Sequence, residues 1–298
     1  RGRRLREALR RVGLHRWRRG AFRRGGSAGK HLPLHALARL LHNPKDGQAR
    51  RFLNDERSYT EHYHYAAANW ARFLPLAGEA LTDRTGVQLA DYAARYTGYA
   101  GGRGDEHQRV LWATSLGVLP HYLAGGRIAR MDKAQALAAA KAKLRGYVGT
   151  LYHAGQGEWD GPDAHGWSII GMLNLYDFSR DEQMRLLAKA ALDWYVAAYA
   201  LKHTQAVYAA PNLLGRADQP ADSVADQLGW LWWGEADVDD RRLREFRFAL
   251  HAATSGYRPN GVLCAIARKT SLPGLPAVQR NTKPAYWVGR RIDPRARV

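Results

Sequence analysis

The densest set of reactive groups in this sequence lies in residues 152–167. This stretch contains three carboxylates, two indole rings and two imidazoles, and the candidates for contact with a substrate are Glu158, Asp160, Trp159, Trp167 and His165. Glycines and a proline interrupt it, so we predict a loop. Paired carboxylates can act as general acid and base, and aromatic rings can stack on a ligand, so we expect these groups to contact a substrate. A structural interpretation stays open, in which Trp159 is buried, a carboxylate such as that of Asp163 caps the next helix, and Glu158 accepts hydrogen bonds from amides of a neighbouring hairpin.

A second candidate segment covers residues 101–108 and precedes a predicted helix whose amide end favours anions. His107 can exchange protons near neutral pH, and Glu106 could orient it. Gln108 adds an amide that can bind a carboxylate. The alternative is ordinary helix capping by Asp105, with His107 exposed.

Aromatic and imidazole side chains also alternate in residues 59–65. His62 and His64 are two positions apart, so on a helix they diverge and do not form a metal site without further ligands. We therefore predict no metal and no other cofactor. The expected role of Tyr63, His64 and Asn69 is to line a groove for a polymer.

Two further candidates lie in the last third of the chain. Arg216 could pair with a uronate carboxylate through its guanidinium, although a surface ion pair is an equal alternative. Trp230 and Trp233 are three residues apart and share a helix face, which predicts core packing. Trp232 points away from that face and is the candidate for stacking on a sugar ring.

The charge distribution favours an anionic partner. The chain of 298 residues has a formal net charge of +19, and residues 1–24 hold eleven arginines against one acidic residue. Residues 1–30 are therefore a basic Arg-rich segment, either an amphipathic helix on an anionic surface or a solvated arm. The excess charge in the remainder suits a polyuronate, a nucleic acid or a membrane surface, but no specific nucleic-acid motif is present.

The sequence gives few signs of its compartment. It contains no apolar run of about 18 residues, so we do not expect a transmembrane protein. Residues 1–30 lack the apolar centre of a secretory signal peptide. The single cysteine, Cys264, excludes an internal disulfide and leaves the compartment open.

Helical periodicity runs through almost all of the sequence after residue 30, so we predict one all-α domain over residues 31–298. Its best helix hairpin joins residues 169–176 to 184–198 through a short turn, with Ser179 as the cap of the second helix. Similar hairpins are predicted in residues 105–152 and 223–253. Other candidate helices are residues 35–42, 60–76 and 87–96, and residues 262–266 alone resemble a strand.

Antiparallel helix hairpins can stack as an open solenoid or close into an α/α toroid. A solenoid normally carries a recurring consensus, and this sequence has none. We therefore predict an α/α toroid, an incomplete (α/α)6–7 barrel of about six or seven hairpins. Its loops would line one mouth of the ring, where a long polymer can lie.

Two motifs carry a resemblance to a known family. The runs Gly104-Asp-Glu-His-Gln and Val110-Leu-Trp-Ala-Thr-Ser, followed by Gly157-Glu-Trp-Asp-Gly-Pro and Leu173-Asn-Leu-Tyr-Asp, resemble α/α-toroid polysaccharide lyases of the glucuronan and alginate lyase type, which are akin to heparinase-like lyases. The resemblance covers residues 55–290. It implies cleavage of an acidic polysaccharide by β-elimination, a secreted or periplasmic location, and a C-terminal β domain that this chain lacks.

The motifs depart from the family at catalytic positions. Where the family has Gly-Thr-Glu-Asn-His, its Asn falls on His107 and its His on Gln108, and the Tyr of its Ser-Pro-Thr-Tyr motif falls on Ala164. The resemblance therefore implies His107 as the base, Gln108 as a group that neutralises the uronate carboxylate, and His165 as a substitute proton carrier. Glu158, Trp159 and Asp160 then become the frame of the loop.

Two other functions stay open. A toroid glycoside hydrolase could use Glu158, Asp160 or Asp105 as its acid and base. A non-catalytic binder of anionic polymer would explain the Arg-rich start and the missing tyrosine at Ala164.

Overall fold

The computed structural model describes residues 31–54, 64–101, 104–158, 161–204, 207–208, 223–234 and 247–270. This part of the chain is mostly helical, which confirms the all-α prediction. Its helices are α1 Leu32–His42, α2 Gly47–Leu53, α3 His64–Ala77, α4 Asp83–Arg95, α5 Gly98–Gly101, α6 Glu106–Val118, α7 Lys133–Ala154, α8 Pro162–Phe178, α9 Glu182–Lys202, α10 Val224–Trp232, α11 Ala249–Ala253 and α12 Gly261–Ala267. Short 3-10 turns follow α3 and α6, at Gly78–Ala80, Leu119–His121 and Ala124–Gly126, and the two-residue strands β1 His203–Thr204 and β2 Val207–Tyr208 pair antiparallel.

Helix α8 lies at the centre of the described core. It packs against α3, α6, α9, α10 and α11. Its residues from Ala164 to Leu175 are all buried, because its sequence is apolar on every side. Gly171 lets the helix approach α6 closely, since a Cβ there would lie 2.8 Å from Oγ1 of Thr114.

The helices form two rows. In one row, α3, α6, α8 and α10 contact one another in that order, and α7 and α9 pack against each other in a second row. Each of α7 and α9 also packs on the helix that precedes it in the chain. The hairpin of α8 and α9 is antiparallel, as predicted, because Nε2 of His165 near the start of α8 lies 2.9 Å from the carbonyl oxygen of Tyr195 in the second half of α9.

Side-chain caps define several helix starts. Asp132 and Gln135 form a capping box at α7, and Ser223 and Asp226 form one at α10. Helix α9 is capped by Asp181, whose carboxylate accepts from the amide of Met184. The prediction that Ser179 caps α9 was therefore wrong.

Two other local predictions need correction. Residues 262–266 belong to the helix α12 and not to a strand, because a short apolar run has no period that separates the two structures. The helix predicted from residue 105 ends at Val118, and Pro120 then lies in a 3-10 turn.

Parts of the predicted organisation lie outside the described residues. These are the Arg-rich segment 1–30, the first residues of the helix predicted at 60–76, residues 235–246 of the hairpin predicted at 223–253, and residues 271–298. None of the helices in the described ranges is long and apolar enough to cross a membrane.

Candidate functional site

A groove of about 890 Å³ opens where α3, α5 and α6 meet. Helix α5 and the two residues before it supply most of its wall, α6 contributes Gln108 and Trp112, and α3 contributes its first residue. The lining residues are His64, Tyr96, Thr97, Gly98, Ala100, Gly101, Gly104, Gln108 and Trp112. The groove thus combines imidazole, amide and aromatic groups with a wall of small residues, as ligand sites commonly do.

Next to the lining residues His64 and Gln108, three side chains form a hydrogen-bonded chain. Nδ1 of His107 lies 2.9 and 2.8 Å from the two carboxylate oxygens of Glu158, and Nε2 lies 3.0 Å from the hydroxyl of Tyr65. His107 and Glu158 are buried, and Tyr65 is half-buried. An ionised carboxylate can only accept, so these distances fit a tautomer that carries its proton on Nδ1 and accepts from the tyrosine hydroxyl at Nε2.

Glu158 also joins the loop before α8 to the start of α6. One of its carboxylate oxygens accepts the amide of His107 at 2.5 Å. Asp105 occupies the N-cap position of α6, but its side chain makes no capping bond. Glu158 thus accepts one backbone amide, as in the structural interpretation, but this amide belongs to His107 in α6, which precedes the loop in the chain.

Glu106 holds Glu158 from the other side. Its carboxylate accepts the backbone amide of Glu158 at 2.9 Å. It also lies beside the half-buried Tyr147, whose hydroxyl shares a hydrogen bond with that of the buried Tyr195. Burial, then the neighbouring Tyr195 and Glu106, raise the pKa of Tyr147 well above its usual value. Both tyrosines therefore stay protonated and can donate.

Tyr65 is supported by aromatic packing. Its ring centre lies 4.4 Å from that of the buried Trp167 and 5.9 Å from that of His107, with the His107 ring nearly parallel. His31 stacks on Trp167 at 5.8 Å. Trp167, predicted to contact substrate, thus backs Tyr65 from inside the protein.

One group among the described residues has the composition of a metal site. Asp105, His107 and Glu158 each have an atom that could bind a metal ion, and these three atoms lie within 4.8 Å of one another. His107 and Glu158 are buried, and Asp105 is exposed. A nitrogen and carboxylate oxygens are donors that zinc accepts. The same atoms of His107 and Glu158 are hydrogen-bonded to each other, so a cation would have to displace that bond.

His165 lies apart from the groove, in a buried aromatic cluster. Its ring packs on Tyr195, Tyr199 and Tyr208, with Nε2 bonded to the carbonyl oxygen of Tyr195 and Nδ1 3.0 Å from the amide oxygen of Gln156. Burial lowers the pKa of His165 to about 3. The ring is thus neutral at pH 7 and serves as a packing and hydrogen-bonding group.

Asn69 lies in the core and not on the groove. It is completely buried, and its amide bonds to His31 and His251. The same polar cluster contains the buried ion pair of Arg72 and Asp177, whose Nη1 and Oδ2 atoms are 2.7 Å apart. These groups join α3, α8 and α11 through the middle of the protein.

Trp232 is also a core residue, only 4% exposed and packed against Trp233 and Tyr257. Trp230 and Trp233 are buried as predicted. Four predicted site residues lie outside the described part of the chain: Tyr63, Trp159, Asp160 and Arg216.

The groove wall thus contains His64 and Gln108, and His107, which precedes Gln108 in α6, is hydrogen-bonded to Glu158. The carboxylate of Glu106 in turn accepts the amide of Glu158. Sequence reasoning missed Tyr65, Tyr96 and Trp112. Tyr65 follows His64 in the aromatic run 59–65, and Tyr96 precedes the glycines of the second segment, so each lay next to a recognised signal.

We compared the chain with models of known protein families, with curated protein sequences and with solved structures, and none of the three comparisons gave a match.

Proposed function

We propose that this protein is a polysaccharide lyase that cleaves an acidic, uronate-containing polysaccharide by β-elimination. The observation that carries the proposal is the chain from Glu158 through His107 to the hydroxyl of Tyr65, a half-buried residue that follows His64 of the groove wall, beside a groove lined by Gln108 and aromatic side chains. In such a chain the tyrosine hydroxyl can pass its proton to the imidazole as it takes one from a substrate.

We further propose that the helices belong to an α/α toroid. The row α3, α6, α8 and α10 would form the inner ring, with α4, α7 and α9 outside. Support comes from the order of the chain, in which members of the two rows alternate, and from the complete burial of α8. The groove then lies at the N-terminal end of α6, at one mouth of the ring.

In the proposed reaction, the hydroxyl oxygen of Tyr65 takes the proton from C5 of the uronate as its own proton passes to Nε2 of His107. The C5–H electrons form the C4=C5 double bond, and the C4–O bond breaks towards the leaving sugar. Tyr65 then gives a proton to that oxygen and regains one from His107. Glu158 stabilises the transient imidazolium, and no net proton is consumed.

Gln108 has a positioning role in this scheme. Removal of the C5 proton needs a uronate carboxylate whose charge is offset by hydrogen bonds. The amide of Gln108 lies in the groove wall one residue after His107, and it can donate such a bond. His64, in the same wall, can contact the sugar hydroxyls.

The test is a panel of polyuronates and glycosaminoglycans, followed by the ultraviolet absorbance of the unsaturated uronate product. We expect the wild-type protein to cleave at least one polymer, and Tyr65→Phe to lower kcat about 100-fold or more, because it removes the proton carrier but keeps the ring on Trp167. Tyr92→Phe, at an exposed tyrosine of α4, is the matched control.

Absence of turnover across the panel would refute the lyase assignment. New reducing ends without the ultraviolet signal would indicate hydrolysis. Binding without any cleavage would favour a non-catalytic binder of anionic polymer.

A further inference from the structure

We propose that Tyr96 forms a sugar-binding subsite, on which one pyranose ring of the polymer stacks. The inference rests on the proposed function for the identity of the ligand. Tyr96 is 40% exposed and lines the groove, although it is a large aromatic side chain. An aromatic face open to a groove is the usual platform for the C–H face of a sugar.

The ring of Tyr96 is held from behind by other aromatic side chains. Its centre lies 5.4 Å from that of Trp112, with 34° between the planes, and the edge of Tyr99 packs at 6.1 Å. Trp112 is only 4% exposed and Tyr99 is fully buried. The three rings therefore form a packed aromatic cluster, in which Tyr96 is the most exposed member and faces the groove, and ligand binding there would need little reordering of side chains.

Two glycines make this arrangement possible. A Cβ at Gly98 would lie 2.2 Å from Cε1 of Tyr96, so only glycine leaves room for the ring in this position. At Gly104 the φ angle is +111°, and a Cβ would lie 2.0 Å from the amide oxygen of Gln108. One glycine thus makes room for the aromatic platform, and the other makes room for the amide that faces the same groove.

The wall between these glycines is tied to the outer row of helices. Nζ of Lys143, on α7, donates to the carbonyl oxygen of Ala100 at 2.5 Å. Ala100 and Gly101 line the groove at the end of α5. The lysine therefore fixes the wall and also places a positive charge close behind it, which suits an anionic sugar more than a neutral one.

The test compares Tyr96→Ala, Tyr96→Phe and Tyr92→Ala, the last at a tyrosine of α4 that is 43% exposed and does not line the groove. The probes are hexasaccharides of mannuronate and of glucuronate, with a neutral glucan hexasaccharide for comparison. Binding is measured by titration calorimetry in the Tyr65→Phe background, and KM and kcat are measured in the otherwise wild-type protein.

Loss of a stacked ring contact worth about 1 kcal/mol predicts a 5- to 10-fold rise in Kd and KM for Tyr96→Ala, with a much smaller effect on kcat. Tyr96→Phe keeps the aromatic ring, so its Kd and KM should stay within about 2-fold of those of the protein with Tyr96. Gly98→Ala, which displaces the ring of Tyr96 without removing it, should also raise Kd. Circular dichroism checks that each variant is folded.

Equal affinities of Tyr96→Ala and Tyr92→Ala would overturn the subsite, whether or not the protein is a lyase. If the wild-type chain cleaves no polymer but binds a hexasaccharide in a way that depends on Tyr96, the subsite stands and the lyase assignment fails. Absence of binding to every probe overturns both.

Discussion

Replacement of Glu158 by glutamine tests the hydrogen-bonded chain most directly. In the native protein the carboxylate receives the ring Nδ1–H and the backbone amide of His107. A glutamine offers one carbonyl oxygen and one NH2 group, so its NH2 must face one of these two donors. The conflict is relieved if the ring changes tautomer, with Nδ1 accepting and Nε2 carrying the proton. Nε2 can then no longer take a proton from Tyr65.

The structure sets the size of the effect. Loss of a buried hydrogen bond to a charged acceptor costs about 2 kcal/mol, which corresponds to a fall of about 4 °C in Tm for a chain of this size. The wrong tautomer of a general base lowers kcat by about 10²- to 10⁴-fold. We therefore expect a folded protein with a nearly unchanged KM and a strongly reduced kcat.

The tautomer can be measured without any substrate. Long-range proton–nitrogen NMR spectra of the imidazole distinguish a protonated Nδ1 from a protonated Nε2. The wild-type protein should show protonated Nδ1 in His107, and Glu158→Gln should show the other form. Glu79→Gln, at an exposed glutamate, is the control and should leave the spectrum unchanged. If the variant keeps the wild-type tautomer and still loses activity, the relay is not the cause.

Two further predictions concern the fold around the site. Gly166→Ala would place a Cβ 2.5 Å from the backbone nitrogen of Ala225, so we expect it to lower the free energy of unfolding by about 3 kcal/mol and Tm by about 6 °C. Gly149→Ala is the control: its Cβ would have no atom within 4 Å, and it should raise Tm by about 2 °C. Equal Tm values in a thermal scan would contradict the packing of α10 on α8. The pKa of His165 is about 3 in the folded chain, whereas its ordinary value is 6.5. Between these pH values the unfolded chain binds a proton at His165 and the folded chain does not, so the free energy of unfolding decreases as pH falls below about 6.5. At pH 5 this residue lowers the free energy of unfolding by about 2 kcal/mol. In denaturant unfolding, His165→Gln should therefore show a shallower dependence of this free energy on pH than the wild-type protein, and identical slopes for the two proteins would refute the prediction.

The helices could be predicted from the sequence because their signals are local. Apolar spacing identified α8 and α9, and the short turn between them predicted an antiparallel pair. The capping residue was misassigned because Ser179 and Asp181 are both good caps. Only the backbone decides which of them occupies the N-cap position.

The site could be predicted only in part. His107, Gln108 and Glu158 were recognised from two short segments, but no local pattern pairs residues 51 positions apart. On α3, a step of one residue turns the helix by about 100°, so the choice among neighbouring aromatic and imidazole groups depends on the helix register. Asn69 lies about 140° around the helix from His64, which explains why one lines the groove and the other lies in the core.

His165 shows a different limit. Its position beside a glycine-rich loop suggested a reactive group, but the packing of α9 across α8 buries it against Tyr195 and Tyr199. Neither contact is visible before the hairpin is folded. The histidine that shares a hydrogen bond with a tyrosine hydroxyl beside the groove is instead His107, and its partner is Tyr65 on α3.

The hydrogen bonds of Glu158 also help to choose between β-elimination and glycoside hydrolysis as the proposed reaction. A glycosidase needs one carboxylic acid that reaches the glycosidic oxygen and one carboxylate near the anomeric carbon. Both carboxylate oxygens of Glu158 are engaged by His107, and the side chain is only 8% exposed. Release of Glu158 for acid catalysis would leave two buried donors of His107 unpaired, at a cost of about 1 to 3 kcal/mol for each. A lyase needs no such release, because Glu158 works while it holds the imidazole in place. The hydrogen bonds that argue against a hydrolytic role for this carboxylate are therefore the ones that a tyrosine–histidine elimination requires.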